Sequence, residues 1–162
     1  MASGITNKGK AWILETAFRK QMNGGSTSDT MYIALIKDDN VPNADDTTWN
    51  DLNGTEIAAG NGYTAGGISL TRGTTDFDVV ISDGDADTNN YGYIQLKNIE
   101  WTATGTFPSS SDGASYAILM DNAGSSADAT GNKVIAWFDL GGERTLSSGQ
   151  KLSLQDLEIR LT

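Results

Sequence analysis

Carboxylates at alternating positions are the first chemical signal in this chain. Asp83, Asp85 and Asp87 are spaced like the opening of a calcium-binding loop, in which alternate carboxylates converge on one ion. The pattern then departs from that loop. Thr88 stands at the sixth position, where glycine makes a sharp turn, and Ile94 at the twelfth, where a glutamate binds with both oxygens. A solvated turn between strands fits these residues better than a metal site, and no cofactor is expected.

A second group of carboxylates lies between Asp38 and Glu56, in a long acidic segment. Two carboxylates on such a segment are the minimum that glycoside hydrolysis requires, whereas a soluble acidic surface needs no particular geometry. The sequence contains no histidine, which removes the usual general base near neutral pH and the commonest metal ligand. It also contains no cysteine. We therefore expect that the protein is not an enzyme.

Aromatic side chains offer a different chemistry, because exposed rings bind sugars and proteins. Trp49 and Tyr63 lie in loop-like sequence near several aspartates, and together these residues form a hypothetical glycan-binding surface. Trp137 is assigned to the core. Trp101 could join Trp49 and Tyr63 in an exposed cluster, but a place in the core is favoured for it.

The charge of the chain is unevenly distributed. The net charge is −10, but residues 1–28 carry +3 and the remainder −13. An acidic protein of this kind is not expected to bind nucleic acid. No apolar run is long enough to span a membrane, and the N-terminus has no hydrophobic signal segment, so neither membrane insertion nor Sec-type export is expected.

The pattern of the basic N-terminal segment predicts one helix, from Thr6 to Met22. Ala11, Leu14, Phe18 and Met22 recur at helical spacing and form one apolar stripe, and Trp12 lies off that stripe. Thr6 or Asn7 is expected to cap the start of the helix. The residues expected to contact a partner combine this segment with the two loop aromatics: Ile5, Lys8, Lys10, Trp12, Trp49 and Tyr63.

Two strands, 114–121 and 134–140, are apolar on both faces, which predicts a place in the middle of a layered core. Shorter alternating segments predict further strands. In 91–102 the alternation shifts at Asn98, and in 151–162 it slips at Gln155, as a bulge or a break between strands would cause.

Together these elements predict a mainly β fold: an antiparallel β-sandwich or jelly roll with one N-terminal α-helix. We expect residues 1–25 to form an N-terminal arm and helix, and residues 26–162 to form a single β-sandwich domain.

The order of these features resembles that of small phage virion proteins of the head-decoration (cement) type and other minor structural proteins. The segments that carry the resemblance are the helix 8–18, the strand 31–36, the segment 62–67, and the stretches 101–103, 117–119 and 135–141. They are spread over most of the chain. The same likeness extends to tail and baseplate components.

The resemblance implies a non-enzymatic β-sandwich that sits on a capsid lattice, often as a trimer. The implied partners are the major capsid protein and further copies of the chain itself, in a virion assembled after synthesis in the host cytoplasm. No catalytic residue is implied. The alternative is a tail or fibre component that binds host-surface glycan.

Overall fold

The structure is a computed structural model that describes residues 4–19, 30–80, 91–109, 112–121 and 132–162. Its helices and strands, in chain order, are α1 (Asn7–Phe18), β1 (Thr30–Ile36), α2 (Trp49–Leu52), a 3-10 turn (Asn53–Thr55), β2 (Ile68–Thr71), β3 (Phe77–Val80), β4 (Gly92–Leu96), β5 (Ile99–Thr102), β6 (Ala114–Met120), β7 (Val134–Arg144), β8 (Lys151–Leu154) and β9 (Glu158–Leu161). The fold is mainly β, with antiparallel sheets and one N-terminal helix, and it is consistent with a β-sandwich-like architecture. The predicted fold class is confirmed. No helix among the described residues is long and apolar enough to cross a membrane.

The chain forms two compact units, which differ from the expected division at residue 25. The helix–sheet unit comprises Met1–Asp29, Thr71–Asn98 and Leu154–Thr162, and the large-sheet unit comprises Thr30–Leu70 and Ile99–Ser153. The N-terminal helix therefore belongs to a unit that also takes strands from the middle and the end of the chain.

The helix–sheet unit packs α1 against a three-stranded sheet in the order β3–β4–β9. Of the two expected caps, Thr6 is the one that caps the helix, because its side-chain oxygen accepts a hydrogen bond from the N–H of Gly9 at 3.1 Å. The Phe18 and Phe77 rings lie 5.3 Å apart, and a Cβ on Gly92 would come within 2.6 Å of the Ala11 nitrogen. Only glycine at position 92 permits this close approach of helix and sheet.

The large-sheet unit is built on a four-stranded sheet in the order β2–β1–β6–β7. β1 and β6 are the buried central strands, with Ala34 paired to Ile118 across them. The buried cluster on one face of this sheet contains α2 residues as well as strand residues: Ala34, Ile36, Trp49, Leu52, Ile118 and Met120.

The prediction for strand 134–140 is wrong, because β7 is an edge strand and not a central one. Its residues alternate between half-buried and exposed, and Trp137, which we assigned to the core, is 43% exposed. Leu119 pairs with Ala136 and Met120 with Val134, so that Ile135 is the extra residue of a bulge. Trp101, by contrast, is buried as predicted.

Both shifts in alternation are breaks between strands of different sheets. β4 and β9 belong to the three-stranded sheet, whereas β5 and β8 pair with each other. At the second break Asp156 has a φ of 54°, the left-handed conformation that a tight change of direction needs.

Candidate functional site

The candidate site is the outer face of α1, which is apolar where a surface helix is normally polar. At 3.6 residues per turn, Trp12 and Ile13 point away from the buried stripe of Ala11, Leu14 and Phe18. Trp12 is 59% exposed and Ile13 is 40% exposed. A helix that is apolar on two opposite sides is usually buried on both, so this face has the composition of a contact surface.

Ile5 extends the same face beyond the start of the helix. It lies just before the Thr6 cap and is 59% exposed. A Cβ on Gly9 would lie only 3.1 Å from Ile5 Cγ2, so Ile5 lies against the bare backbone of this glycine. Gly9, Trp12 and Ile13 follow at i, i+3 and i+4, which places all of them on one side of the helix. We call Ile5, Gly9, Trp12 and Ile13 the outer face of α1.

The structure brings together part of the partner-contact set predicted from the sequence. Ile5 and Trp12 share the outer face, and Lys8 and Lys10 belong to the first turns of the same helix. The side chain of Lys8 lies outside the described part of the chain. The predicted set did not include Ile13. Its position next to Trp12 and eight residues after Ile5 indicates the same side of the helix, so the sequence contained a signal for it.

Trp49 and Tyr63 do not fit the expectation of partner contact, because their side chains are buried to 1% and 4% exposure in the large-sheet unit. Trp49 opens α2, whose start is fixed by Asp51: this carboxylate accepts the N–H of Thr48 at 2.9 Å. Hydrogen bonds from the backbone and side chain of Thr48 lower the pKa of Asp51. The turn thus directs the indole into the core.

Tyr63 is held by its hydroxyl group. The hydroxyl accepts the buried N–H of Leu35 at 3.1 Å and donates to Glu56 Oε1 at 2.7 Å. The N–H of Gly66 donates to the same oxygen at 2.6 Å. Leu35 lies 28 residues and Glu56 seven residues from Tyr63 in the chain, so the sequence alone did not predict this network. It ties the 56–67 segment to β1.

Two other carboxylates of the acidic segment, those of Asp46 and Asp39, are also engaged locally. Asp46 Oδ2 accepts hydrogen bonds from the backbone and side-chain amides of Asn43, and Asp39 pairs with Lys37 at 3.5 Å. Across the described ranges, no group of three or more acidic side chains is placed to hold a metal ion. The alternating Asp83, Asp85 and Asp87 lie outside the described residues.

Ionisation of Glu56 makes the stability of the folded protein depend on pH. Burial raises the pKa of Glu56 above its ordinary 4.5, although the hydrogen bonds from Tyr63 and Gly66 act in the opposite direction. Because the pKa of Glu56 is higher in the folded than in the unfolded protein, protonated Glu56 contributes to the free energy of unfolding. This contribution is complete below pH 4.5 and is lost as the pH rises through the folded-state pKa.

Glu56→Gln is therefore expected to become more stable relative to the native protein as the pH rises from about 4 to about 8. The amide keeps both hydrogen bonds, because both go to Oε1, but it never carries a charge. Urea unfolding of both proteins at the two pH values measures this difference. Glu100→Gln is the control of opposite sign, since the hydrogen bond from Lys151 lowers the pKa of Glu100. If the difference in free energy of unfolding between Glu56→Gln and the native protein does not change with pH, a raised pKa of Glu56 is contradicted.

Comparison with known proteins adds no family to this description. The chain matches no protein-family model, no curated protein sequence and no solved structure. The class that fold and site define is thus a mainly β protein with an outward apolar face on its N-terminal helix.

Proposed function

We propose that this chain is a phage virion structural protein of the head-decoration type, which attaches to the assembled capsid through the outer face of α1. The observation that carries the proposal is the exposed cluster of Ile5, Trp12 and Ile13 on a helix whose opposite face is already buried. The arrangement of sequence features that resembles such virion proteins supports the same assignment.

The charge distribution favours an acidic partner. Residues 1–28 carry +3 while the rest of the chain carries −13. The basic segment is attracted to an acidic lattice, and the acidic remainder is repelled from it, so the molecule is oriented with α1 toward the shell. An exposed tryptophan at the centre of such a contact is the residue type that most often dominates binding energy.

The mechanism is thermodynamic. A protein that binds only the assembled shell stabilises it by mass action, and a trimer that bridges several capsid subunits gains further through multivalency.

The test is binding of the double variant Trp12→Ser/Ile13→Ser to purified capsids, measured by co-sedimentation. Loss of a tryptophan that dominates an interface costs about 2 kcal/mol or more, which is about 30-fold in affinity. Deleting residues 1–10 is a poorer test, because Lys10 packs against Gly92 and the fold itself would change.

Trp137→Ser is the matched control, since it also removes a partly exposed tryptophan but from β7. We expect circular dichroism of both variants to match the native protein and only the α1 variant to lose capsid binding. If the folded Trp12→Ser/Ile13→Ser variant binds capsids as tightly as the native protein, attachment through the outer face of α1 is rejected.

A further inference from the structure

In the helix–sheet unit, α1 covers one side of the β3–β4–β9 sheet. The opposite side forms a surface that the proposed function does not use. Phe77, Ile94 and Leu96 are buried on the side that faces α1. Tyr93 and Gln95 alternate with them and point to the opposite side, where Tyr93 pairs with Arg160 and Gln95 with Glu158 across the strands. We call this opposite side the outer sheet face.

One end of the outer sheet face is an aromatic platform. The rings of Tyr91 and Tyr93 lie 5.6 Å apart at 52°. The Arg160 guanidinium lies over one face of the Tyr91 ring, 4.8 Å from its centroid, and Arg160 is paired with Glu158 at 2.6 Å. Both tyrosines are half-buried, so their rings are held in place while part of each stays open to solvent.

Next to the platform lies an open depression of about 420 Å³, which falls within the range of small-molecule sites. Gln95 belongs to its lining and is two residues from Tyr93 on the same face of β4, a separation of about 7 Å. Its lining residues are Asp78, Gln95, Leu96, Lys97, Asn98 and Asp156.

The polar groups of the depression are held in place by one another. Gln95 Nε2 donates to Asp156 Oδ1 at 3.0 Å. Lys97 Nζ donates to the carbonyl of Thr74 at 2.5 Å and lies 3.9 Å from Asp78 Oδ1. Within the described ranges, Asp156 Oδ2 accepts no hydrogen bond. The lining therefore presents carboxylate oxygens together with amide and ammonium donors at fixed positions.

We propose that the outer sheet face binds a neutral oligosaccharide. A pyranose ring has apolar C–H faces that pack on Tyr93 and on the part of Tyr91 that Arg160 does not cover. Its hydroxyl groups both donate and accept, which matches the lining around Gln95, Asn98 and Asp156. An anionic ligand is disfavoured, because Asp78, Asp156 and Glu158 outnumber the cations Lys97 and Arg160 on this face. This inference is independent of the proposed capsid attachment, and it replaces the glycan surface of Trp49 and Tyr63, whose rings are buried.

The test uses the full chain on an array of neutral hexose and N-acetylhexosamine oligosaccharides, with sulfated and sialylated glycans included. Isothermal calorimetry then measures the best neutral glycan against Tyr91→Ala and Asn98→Ala, each of which removes a partly or fully exposed side chain. We expect binding of neutral glycans that weakens about three- to tenfold in each variant, the size of effect that loss of one stacked ring or one hydrogen bond produces.

Trp12→Ser/Ile13→Ser is the control, and we expect it to keep the glycan affinity of the native protein. Absence of any neutral-glycan binding, retention of acidic glycans alone, or unchanged affinity in both variants would overturn the proposal. Because the capsid test uses a different face and different variants, the two proposals succeed or fail separately.

Discussion

Replacement of Trp49 by alanine is expected to destabilise the protein by about 3–5 kcal/mol, the usual cost of removing a buried tryptophan. The indole is 1% exposed and packs in the cluster that joins α2 to the central strands. Its loss leaves a cavity in this cluster, which a four-residue helix fixed at its first turn by Asp51 has little freedom to fill.

Urea unfolding followed by circular dichroism measures this effect, and Trp137→Ala provides the comparison. The same side chain is removed there from β7, where it is 43% exposed, and we expect a loss below about 1 kcal/mol. Equal losses in the two variants would mean that Trp49 and Trp137 do not differ in burial as described.

Gly67→Ala is expected to cost at least about 3 kcal/mol, because both its conformation and its surroundings exclude a side chain. The residue has a φ of 82°, and a Cβ would lie 1.9 Å from the carbonyl oxygen of Ile33. That oxygen belongs to the backbone of the buried strand β1 and cannot rotate away. The 56–67 segment would have to detach from β1, with loss of the hydrogen bond from the Leu35 N–H to the Tyr63 hydroxyl.

Gly149→Ala separates the two causes. Gly149 has a φ of 84°, almost the same as Gly67, but nothing lies within 4 Å of the position of its Cβ. We expect this variant to lose about 1–2 kcal/mol from backbone strain alone. Thermal and urea unfolding of both variants give the difference. If Gly67→Ala is no less stable than Gly149→Ala, the close packing of the 56–67 segment on β1 is refuted.

The sequence predicted those elements whose signals are local. The Thr6 cap and the stripe of Ala11, Leu14 and Phe18 define α1, although its end lies at Phe18 and the predicted last turn to Met22 lies beyond the described residues. The apolar run of β6 predicted burial correctly. In each case neighbouring residues in the chain determine the outcome.

The errors concern neighbours that are distant in the chain. β7 has nearly the composition of β6, but a strand's burial depends on what pairs beside it, and among the described strands β7 has a neighbour on one side only. The shifts at Asn98 and Gln155 revealed two changes of direction, yet alternation cannot tell a bulge from a move to another sheet.

The candidate site was partly predictable. Ile5 and Trp12 followed from their position in the basic N-terminal segment, whereas Trp49 and Tyr63 were chosen because loop-like sequence suggested exposure. Their burial depends on the capping of α2 and on the hydroxyl bond to Leu35, which are properties of the folded chain.

Hydroxyl-radical footprinting of the free and capsid-bound protein tests the role of α1 most directly, because the four tryptophans serve as built-in reporters. In the free protein we expect Trp12 and Trp137 to react and the buried Trp49 and Trp101 not to react. On the capsid we predict that Trp12 alone becomes protected and that Trp137 keeps its reactivity. A bound protein in which Trp12 still reacts as fast as in solution would contradict attachment through α1.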